Sequence, residues 1–359
     1  WIAQTDELCE QAVQAFRQVW INLGAKQTDL RIVRLWGSNP NPEIQGTDKP
    51  IVVVASIQTF NSRMWSDDIT SLKQPGLVVV DECHHAITPS YTRLLKFLDA
   101  ETPRTGHATN DEPAILGLSA TPFRTDDEES LRLARRFDSR WLPKNQEELH
   151  VRLLRQGVLA EVDNEALDSG VELTSEEIDQ LAMLPENWDG IDFENLLEAI
   201  NQRLAVNQQR NEKMLDRIVR AKQGSILFFA NSVAHAEEMA ARLNLLNIPA
   251  AAISGGTPVI ARRYFLERFR LGEIRVLCNH TVLSTGFDAP KTDMVLISRA
   301  VFSPVRYMQM VGRGLRGEKN GGTARCRIIT VMDNLGRFQE RHPYHYCERY
   351  FKGSNNIRP

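Results

Sequence analysis

Short apolar runs recur along the chain with polar, helix-favouring sequence between them. The runs are IVVVAS (51–56), LVVVD (77–81), AILGLSA (114–120), SILFFAN (225–231), IRVLCN (274–279), DMVLIS (293–298) and RIITVMD (327–333). Runs of four to eight apolar residues rich in β-branched side chains, with helical stretches between them, predict parallel sheets built from βαβ units. The run LVVV lacks alternation and is too short for a helix, so it predicts a central strand buried on both faces. TDELCEQAVQAFRQVW predicts a first helix, capped by Thr5, with acids in its first turn and Leu8, Ala12, Val13, Phe16 and Trp20 on one face. Ser303 and Pro304 predict another helix start ahead of VRYMQMVGRGLRG.

Between residues 150 and 223 the strand runs stop and acid-rich stretches such as LTSEEIDQLAML take over. The expected organisation is a first α/β lobe over 1–149, a helical connector over 150–223, a second α/β lobe over 224–340 and a C-terminal tail over 341–359. A cleft between the two lobes is the working architecture. TPRTGHATNDEP (102–113) reads as a polar loop, and no internal repeat is evident.

A length of 359 residues exceeds what one core usually supports, in keeping with two lobes. With 42% hydrophobic and 25% charged residues the chain is of ordinary globular composition. A formal net charge of -3 means that any polyanion must be held by a local groove rather than by bulk attraction. The five cysteines (Cys9, Cys83, Cys278, Cys326, Cys347) form no CxxC pair and fit a reducing cytoplasm. No apolar run reaches the roughly 18 residues that a membrane span needs, so no membrane partner is expected.

Candidate chemistry gathers at the predicted strand ends. GLVVVDECHHAIT (76–88) sets Asp81, Glu82, His84 and His85 directly after an apolar run, at the carboxyl edge where ligands of open α/β sheets collect. The acid pair suits a magnesium nucleotide: one carboxylate holds hydrated Mg²⁺ and the other accepts a proton from the attacking water. Acids merely solvated at a strand end are the competing reading. LGLSATPFR (116–124) ends a second strand in small hydroxyl residues, and STGFDAP (284–290) is a third exit with a glycine-hinged acid. QMVGRGLR (309–316) carries Gln309, Arg313 and Arg316, and arginines three apart are expected on one helical face, reaching two phosphate oxygens together.

In this order, DECHH, SATPFR, TGFDAP and QMVGRGLR resemble the motifs of a superfamily 2 DExH-box helicase or translocase, nearest the branch of type III restriction-enzyme motor subunits and RadD-like repair helicases. The resemblance covers residues 1 to about 335. It implies two RecA-like lobes, ATP and Mg²⁺ as cofactors, and a nucleic-acid partner, with DNA favoured over RNA. Carried over residue by residue, it implies that Asp81 holds Mg²⁺, Glu82 is the general base, and His84 couples the nucleotide site to the other lobe through Gln309. Ser119 and Thr121 would link hydrolysis to movement, Arg313 and Arg316 would be arginine fingers supplied in cis, and Gly286 and Asp288 would shape the loop near the ribose and third phosphate. Gln58, Thr59, Thr257 and Thr281 would contact the nucleic-acid backbone.

Three departures accompany the resemblance. GxxxxGK[ST] does not occur in the 359 residues. Because WIAQTDEL already reads as the tail of a strand, an upstream segment is expected, and the 359 residues alone are expected to bind ATP weakly and hydrolyse it negligibly. His280 stands where many relatives carry a phosphate-contacting threonine, leaving Thr281 as its substitute. Asp6 stands where several carry a basic residue. His85 reads as a hydrogen-bonded neighbour of His84 and Cys83 as a buried filler, and His342, His345 and Cys347 lack the spacing of a zinc site. No aromatic stripe interleaves with basic residues. The expected function is an ATP-dependent DNA translocase or helicase in repair, restriction or defence. An RNA-acting member of the same superfamily and a non-catalytic clamp of the same fold are the alternatives.

Overall fold

In a computed structural model of the chain, the strands assemble into two all-parallel sheets, one in each of two compact units, Trp1–Trp141 and Leu142–Pro359. The structure describes residues 1–23, 29–41, 49–66, 69, 72–73, 75–100, 113–119, 127–140, 142, 146–183, 191–221, 224–280, 291–334 and 342–344.

The first sheet has the order β2-β3-β1-β4-β5, from β1 (Ile2–Ala3), β2 (Arg31–Leu35), β3 (Ile51–Ser56), β4 (Leu77–Asp81) and β5 (Ala114–Leu118). Its helices are α1 (Asp6–Asn22), α2 (Ile57–Arg63), α3 (Pro89–Phe97) and α4 (Asp127–Arg136). Helix α1 starts where the sequence predicts: Thr5 is extended and its hydroxyl accepts from the Leu8 N–H, satisfying one of the free donors at the helix start. Its buried face is Cys9, Ala12 and Val13, packed on Ala3 and Val54. The opposite sheet face presents Ile2, Val78 and Val80 to Phe60, Tyr91, Leu94 and Leu133.

The expectation that LVVV is buried on both faces does not hold. Val78 and Val80 are buried, whereas Leu77 is exposed and Val79 half-buried, the alternation of a strand with one covered face. Leu116 and Leu118 of β5 are likewise exposed, because α1 packs further along the sheet, over β1 and β3.

The second sheet has the order β6-β11-β10-β7-β9-β8, from β6 (Glu161–Glu172), β7 (Ile226–Phe229), β8 (Ala250–Ile253), β9 (Val276–Asn279), β10 (Met294–Ile297) and β11 (Arg325–Asn334). Here the central strands are covered on both sides, and every residue of β7, β9 and β10 is buried. The unit's helices are α5 (Gln146–Arg155), α6 (Ser175–Met183), α7 (Ile191–Ala205), α8 (Gln208–Arg220), α9 (Val233–Leu245), α10 (Val259–Arg270) and α11 (Pro304–Gly312). Phe269 of α10 and Tyr307, Met310 and Val311 of α11 pack on one face, and Met214, Ile218, Met239 and Leu243 of α8 and α9 on the other.

The stretch expected as a helical connector, 150–223, carries the helices α6, α7 and α8 and also contributes a strand. EVDNEALDSGVE pairs along β11 as the sheet's edge strand. Its acids read as loop or helix in isolation, but two of them face arginines across the ladder, with Arg325 Nε 2.8 Å from Glu161 and Arg327 Nε 3.2 Å from Asp163, while Arg217 of α8 pairs with Glu165. Exposed pairs of this kind stabilise by at most about 1 kcal/mol each, yet they fix register. β2 and β8 were also not expected from the sequence; RIVRL alternates weakly and AAAI has little β preference. Among the described residues no helix is long and apolar enough to cross a membrane.

Gly117 of β5 has a packing reason. A Cβ there would lie 2.8 Å from Cys83 Sγ and 2.8 Å from the Phe137 ring, closer than side chains tolerate. Gly117→Ala is therefore expected to destabilise the first unit by about 1–3 kcal/mol through overpacking. Urea unfolding followed by the fluorescence of Trp1, Trp20, Trp36 and Trp65 measures this, and an unchanged midpoint would show that Phe137 can move aside at little cost.

Candidate nucleotide-hydrolysis site

The candidate site is assembled from the ends of two neighbouring strands. β4 and β5 pair in parallel from Leu77 with Ala114 to Asp81 with Leu118, so the residues after Asp81 and after Leu118 leave the sheet side by side. Past Asp81 the chain turns sharply. Glu82 takes a left-handed backbone conformation (φ 49°, ψ 54°), unusual for a residue with a Cβ, and Cys83–His85 close a tight helical turn in which the His85 N–H donates to the Glu82 carbonyl at 3.0 Å. The Glu82 N–H donates to Asp81 Oδ1 at 3.0 Å.

This turn brings the predicted residues together. His84 is buried, with Nδ1 lying 3.3 Å from Glu82 Oε2 and 3.1 Å from Ser119 Oγ. Nδ1 shares a hydrogen bond with the Ser119 hydroxyl, and the Glu82 carboxylate lies in charge contact with the same nitrogen. His84 thus connects the acid after β4 with the hydroxyl after β5. His85 packs its ring against that of His84, centroids 4.1 Å apart. Cys83 is the buried filler expected from the sequence; burial, reinforced by the charge of Glu82, pushes its thiol up to about 12 and leaves it inert at neutral pH.

Asp81 stands on the exposed side of β4 but against an apolar wall from α1. It lines a pocket of about 350 Å³ with Trp1, Leu8, Ala12 and Phe16. Burial against that wall raises its carboxyl above the ordinary aspartate range, opposed in part by the Glu82 N–H.

The remaining predicted residues are placed as follows. Gln58 is exposed on α2, while Thr59 belongs to that helix's cap: its N–H donates to Ser56 Oγ at 3.4 Å, and the Ser56 hydroxyl donates to Thr59 Oγ1 at 3.0 Å. Thr257 Oγ1 accepts from the Ser254 N–H at 2.9 Å, closing the turn before α10. His280 follows β9, and burial and then the charge of Arg299 lower its pKa, against the opposing charge of Glu198. Gln309 is half-buried on α11, which Ser303 caps and Pro304 opens as the sequence predicts. Thr121, Thr281, Gly286, Asp288, His345 and Cys347 lie outside the described residues, and His342 is buried against the rings of Phe302 and Tyr307.

Arg313 and Arg316 do not share a helical face, because α11 ends at Gly312, Arg313 is its C-cap, and Arg316 pairs as an isolated bridge with Leu159. Gly317 permits this path. A Cβ on Gly317 would lie 2.3 Å from the Gly157 carbonyl, and the Gly317 N–H donates to the Val158 carbonyl at 3.0 Å, so the chain lies flat against 157–159 instead of continuing as helix.

A buried polar cluster in the second unit, centred on Arg210, is not among the residues that the motifs single out. Its one sequence signal is that Arg210 and Asn211 stand on the same helical face as the buried Met214, Leu215 and Ile218, where apolar side chains are expected.

Comparison with known proteins agrees with the two units. Residues 1–124 match the domain family described as type III restriction enzyme, res subunit, and residues 209–318 match the helicase conserved C-terminal domain. A Saccharomyces cerevisiae protein provisionally named ATP-dependent helicase IRC3 is 27% identical over 286 residues, which is 78% of this chain and 37% of that protein. The chain therefore spans less than half the length of that relative. Two solved structures share the fold. One is a fragment provisionally assigned as an HsdR subunit of a type I restriction enzyme from Vibrio vulnificus, with TM-score 0.56, 21% identity, and 91% of this chain and 56% of that one covered. The other is S. cerevisiae Dbp5 bound to RNA and ADP BeF3, with TM-score 0.55, 14% identity, and 99% and 75% covered. Both domain families are matched in order, so the chain carries a domain of the type III restriction-enzyme res-subunit family in its first unit and a helicase conserved C-terminal domain in its second, consistent with a superfamily 2 helicase related to restriction motor subunits.

Proposed function

We propose that this protein hydrolyses ATP to move along DNA, as a translocase or helicase in repair, restriction or defence. The observation that carries the reading is the buried His84 bridging Glu82 and Ser119 at adjacent strand ends. A carboxylate held against an imidazole, one residue from a second carboxylate, is suited to orienting and deprotonating a water, and the hydroxyl on the next strand gives that event a mechanical outlet.

Asp81 fits a magnesium ligand. Mg²⁺ is commonly bound through one or two carboxylates, with waters and phosphate oxygens completing the shell, and a carboxylate whose charge is penalised by an apolar wall gains from a cation. When bound with ATP, the ion supplies charge neutralisation at the phosphate oxygens. Glu82 accepts the proton of the attacking water, His84 fixes the orientation of Glu82, and Arg313 and Arg316 stabilise charge on the transferred phosphoryl group. Gly286 and Asp288 shape the nucleotide loop, Ser119 and Thr121 relay hydrolysis to movement, and Gln58, Thr59, Thr257 and Thr281 meet the nucleic-acid backbone.

DNA is favoured because the first unit matches a restriction-enzyme subunit. RNA is the second reading, supported by the shared fold of Dbp5, which was solved bound to RNA. The cysteines Cys9, Cys83, Cys278 and Cys326 are free thiols, which supports placing the protein in a reducing compartment such as the cytoplasm.

In the full-length protein, duplex DNA is expected to stimulate ATP hydrolysis more than RNA of equal length does. Glu82→Gln should keep nucleotide affinity and lower kcat by about 10²-fold or more, the usual contribution of a general base. Phosphate release equally fast with DNA, RNA and neither would contradict the reading.

Asp81 gives an independent expectation. Its folded-state pKa lies above its unfolded value, so ionisation at neutral pH opposes folding and this contribution to stability falls as pH rises through that interval. Asp81→Asn should therefore raise the melting temperature of the nucleotide-free protein at pH 7 while abolishing Mg²⁺-dependent hydrolysis. A lowered melting temperature would mean that the carboxylate is structural.

A further inference from the structure

We propose that Arg210 is a positioning residue that sets the path of the chain from β10 into α11, the helix carrying Gln309 and ending at Arg313. The proposal rests on the ATPase reading for its consequence in turnover, but its geometry stands in the second unit alone.

Arg210 is fully buried on α8. Nε donates to Asp333 Oδ1 at 2.7 Å and Nη2 to Asp333 Oδ2 at 2.9 Å, a two-pronged pair with the end of β11. Nη1 donates to Asn231 Oδ1 at 3.2 Å and to Ser298 Oγ at 2.8 Å, and Nη2 also donates to the Ser298 carbonyl. All the N–H donors of the guanidinium are thereby used, and they reach the carboxyl ends of three different strands: Asn231 after β7, Ser298 after β10 and Asp333 within the end of β11.

Asn201 of α7 completes the clamp. Its Oδ1 accepts from the Ala300 N–H at 2.9 Å and from Asn231 Nδ2 at 2.9 Å. Ser298 and Ala300 are therefore held on either side of Arg299, and from Ala300 only two buried residues, Val301 and Phe302, precede the Ser303 cap of α11. Tyr307, hydrogen-bonded to Thr330 at 2.7 Å, anchors the middle of α11 separately, so what Arg210 controls is the helix's entry.

Stability alone does not account for this arrangement. A buried ion pair is often no better for stability than apolar side chains of similar volume, whereas a planar five-donor fork fixes several chain segments relative to one another, which neither an apolar side chain nor a flexible lysine can do. The segments fixed here are those that lead to the arginine-bearing end of α11.

The test uses the full-length protein with Arg210→Lys, which keeps the charge and loses the fork, and Ser298→Ala, which leaves the Arg210–Asp333 pair in place. Amide hydrogen exchange, melting temperature, and kcat and KM for ATP are measured for both. We expect amides over 299–313 to exchange about tenfold faster while those of α9 are unchanged. We also expect kcat to fall about tenfold with KM changed less than about twofold. Exchange that is unaltered over 299–313, or raised uniformly across the second unit, would overturn the proposal and leave Arg210 as a stabilising residue only. If Arg210→Lys does not fold, Ser298→Ala decides. If the wild-type protein does not hydrolyse ATP, the ATPase reading fails while the exchange pattern still decides the positioning role.

Discussion

Parallel pairing of β4 with β5, ending with Asp81 beside Leu118, determines where the candidate chemistry can be. A shift of this register by one residue would reverse which side chains face the core and would carry Ser119 away from His84. With the register held, the left-handed turn at Glu82 folds His84 back into the protein, and a single imidazole meets the acid from one strand and the hydroxyl from the next. Gly117, in the middle of β5, keeps the space that Cys83 and Phe137 need beneath this turn. Local strain at Glu82 and the desolvated charge of Asp81 both oppose folding, and the core of Val78, Val80, Leu94 and Leu95 offsets them.

Where a strand is recognised by its own apolar residues, the sequence predicts it well, as for ILFF, VLCN and MVLI, which are buried on both faces. Where a strand is held by what lies beside it, the sequence does not. Glu161–Glu172 becomes a strand by pairing along β11, with Arg325 and Arg327 set opposite its acids, and nothing local in EVDNEALDSGVE announces that. The same distinction explains the LVVV run, whose apolar character does not say that the helix above it is displaced toward β1 and β3.

The site divides in the same way. Asp81, Glu82 and His84 are neighbours in sequence, so their type and spacing carry the chemistry directly. Arg210 is not readable like this, since its partners Asn231, Ser298 and Asp333 lie 21, 88 and 123 residues away. An arginine in QQRNEKML reads as a solvated helix residue until the sheet supplies its acceptors. The separation of Arg313 and Arg316 has a related cause, because past the helix end Arg316 and Gly317 lie against 157–159, a segment far away in sequence.

His84 joins Glu82 and Ser119 into one coupled unit. A double-mutant cycle on the nucleic-acid-stimulated kcat for ATP, with His84→Ala, Ser119→Ala and both together in the full-length protein, tests it most directly. Residues sharing one hydrogen-bond network should be non-additive by about 1 kcal/mol or more, so that the double variant is little worse than the poorer single one. Losses that simply add would contradict the account, because His84 and Ser119 would then act independently despite lying 3.1 Å apart.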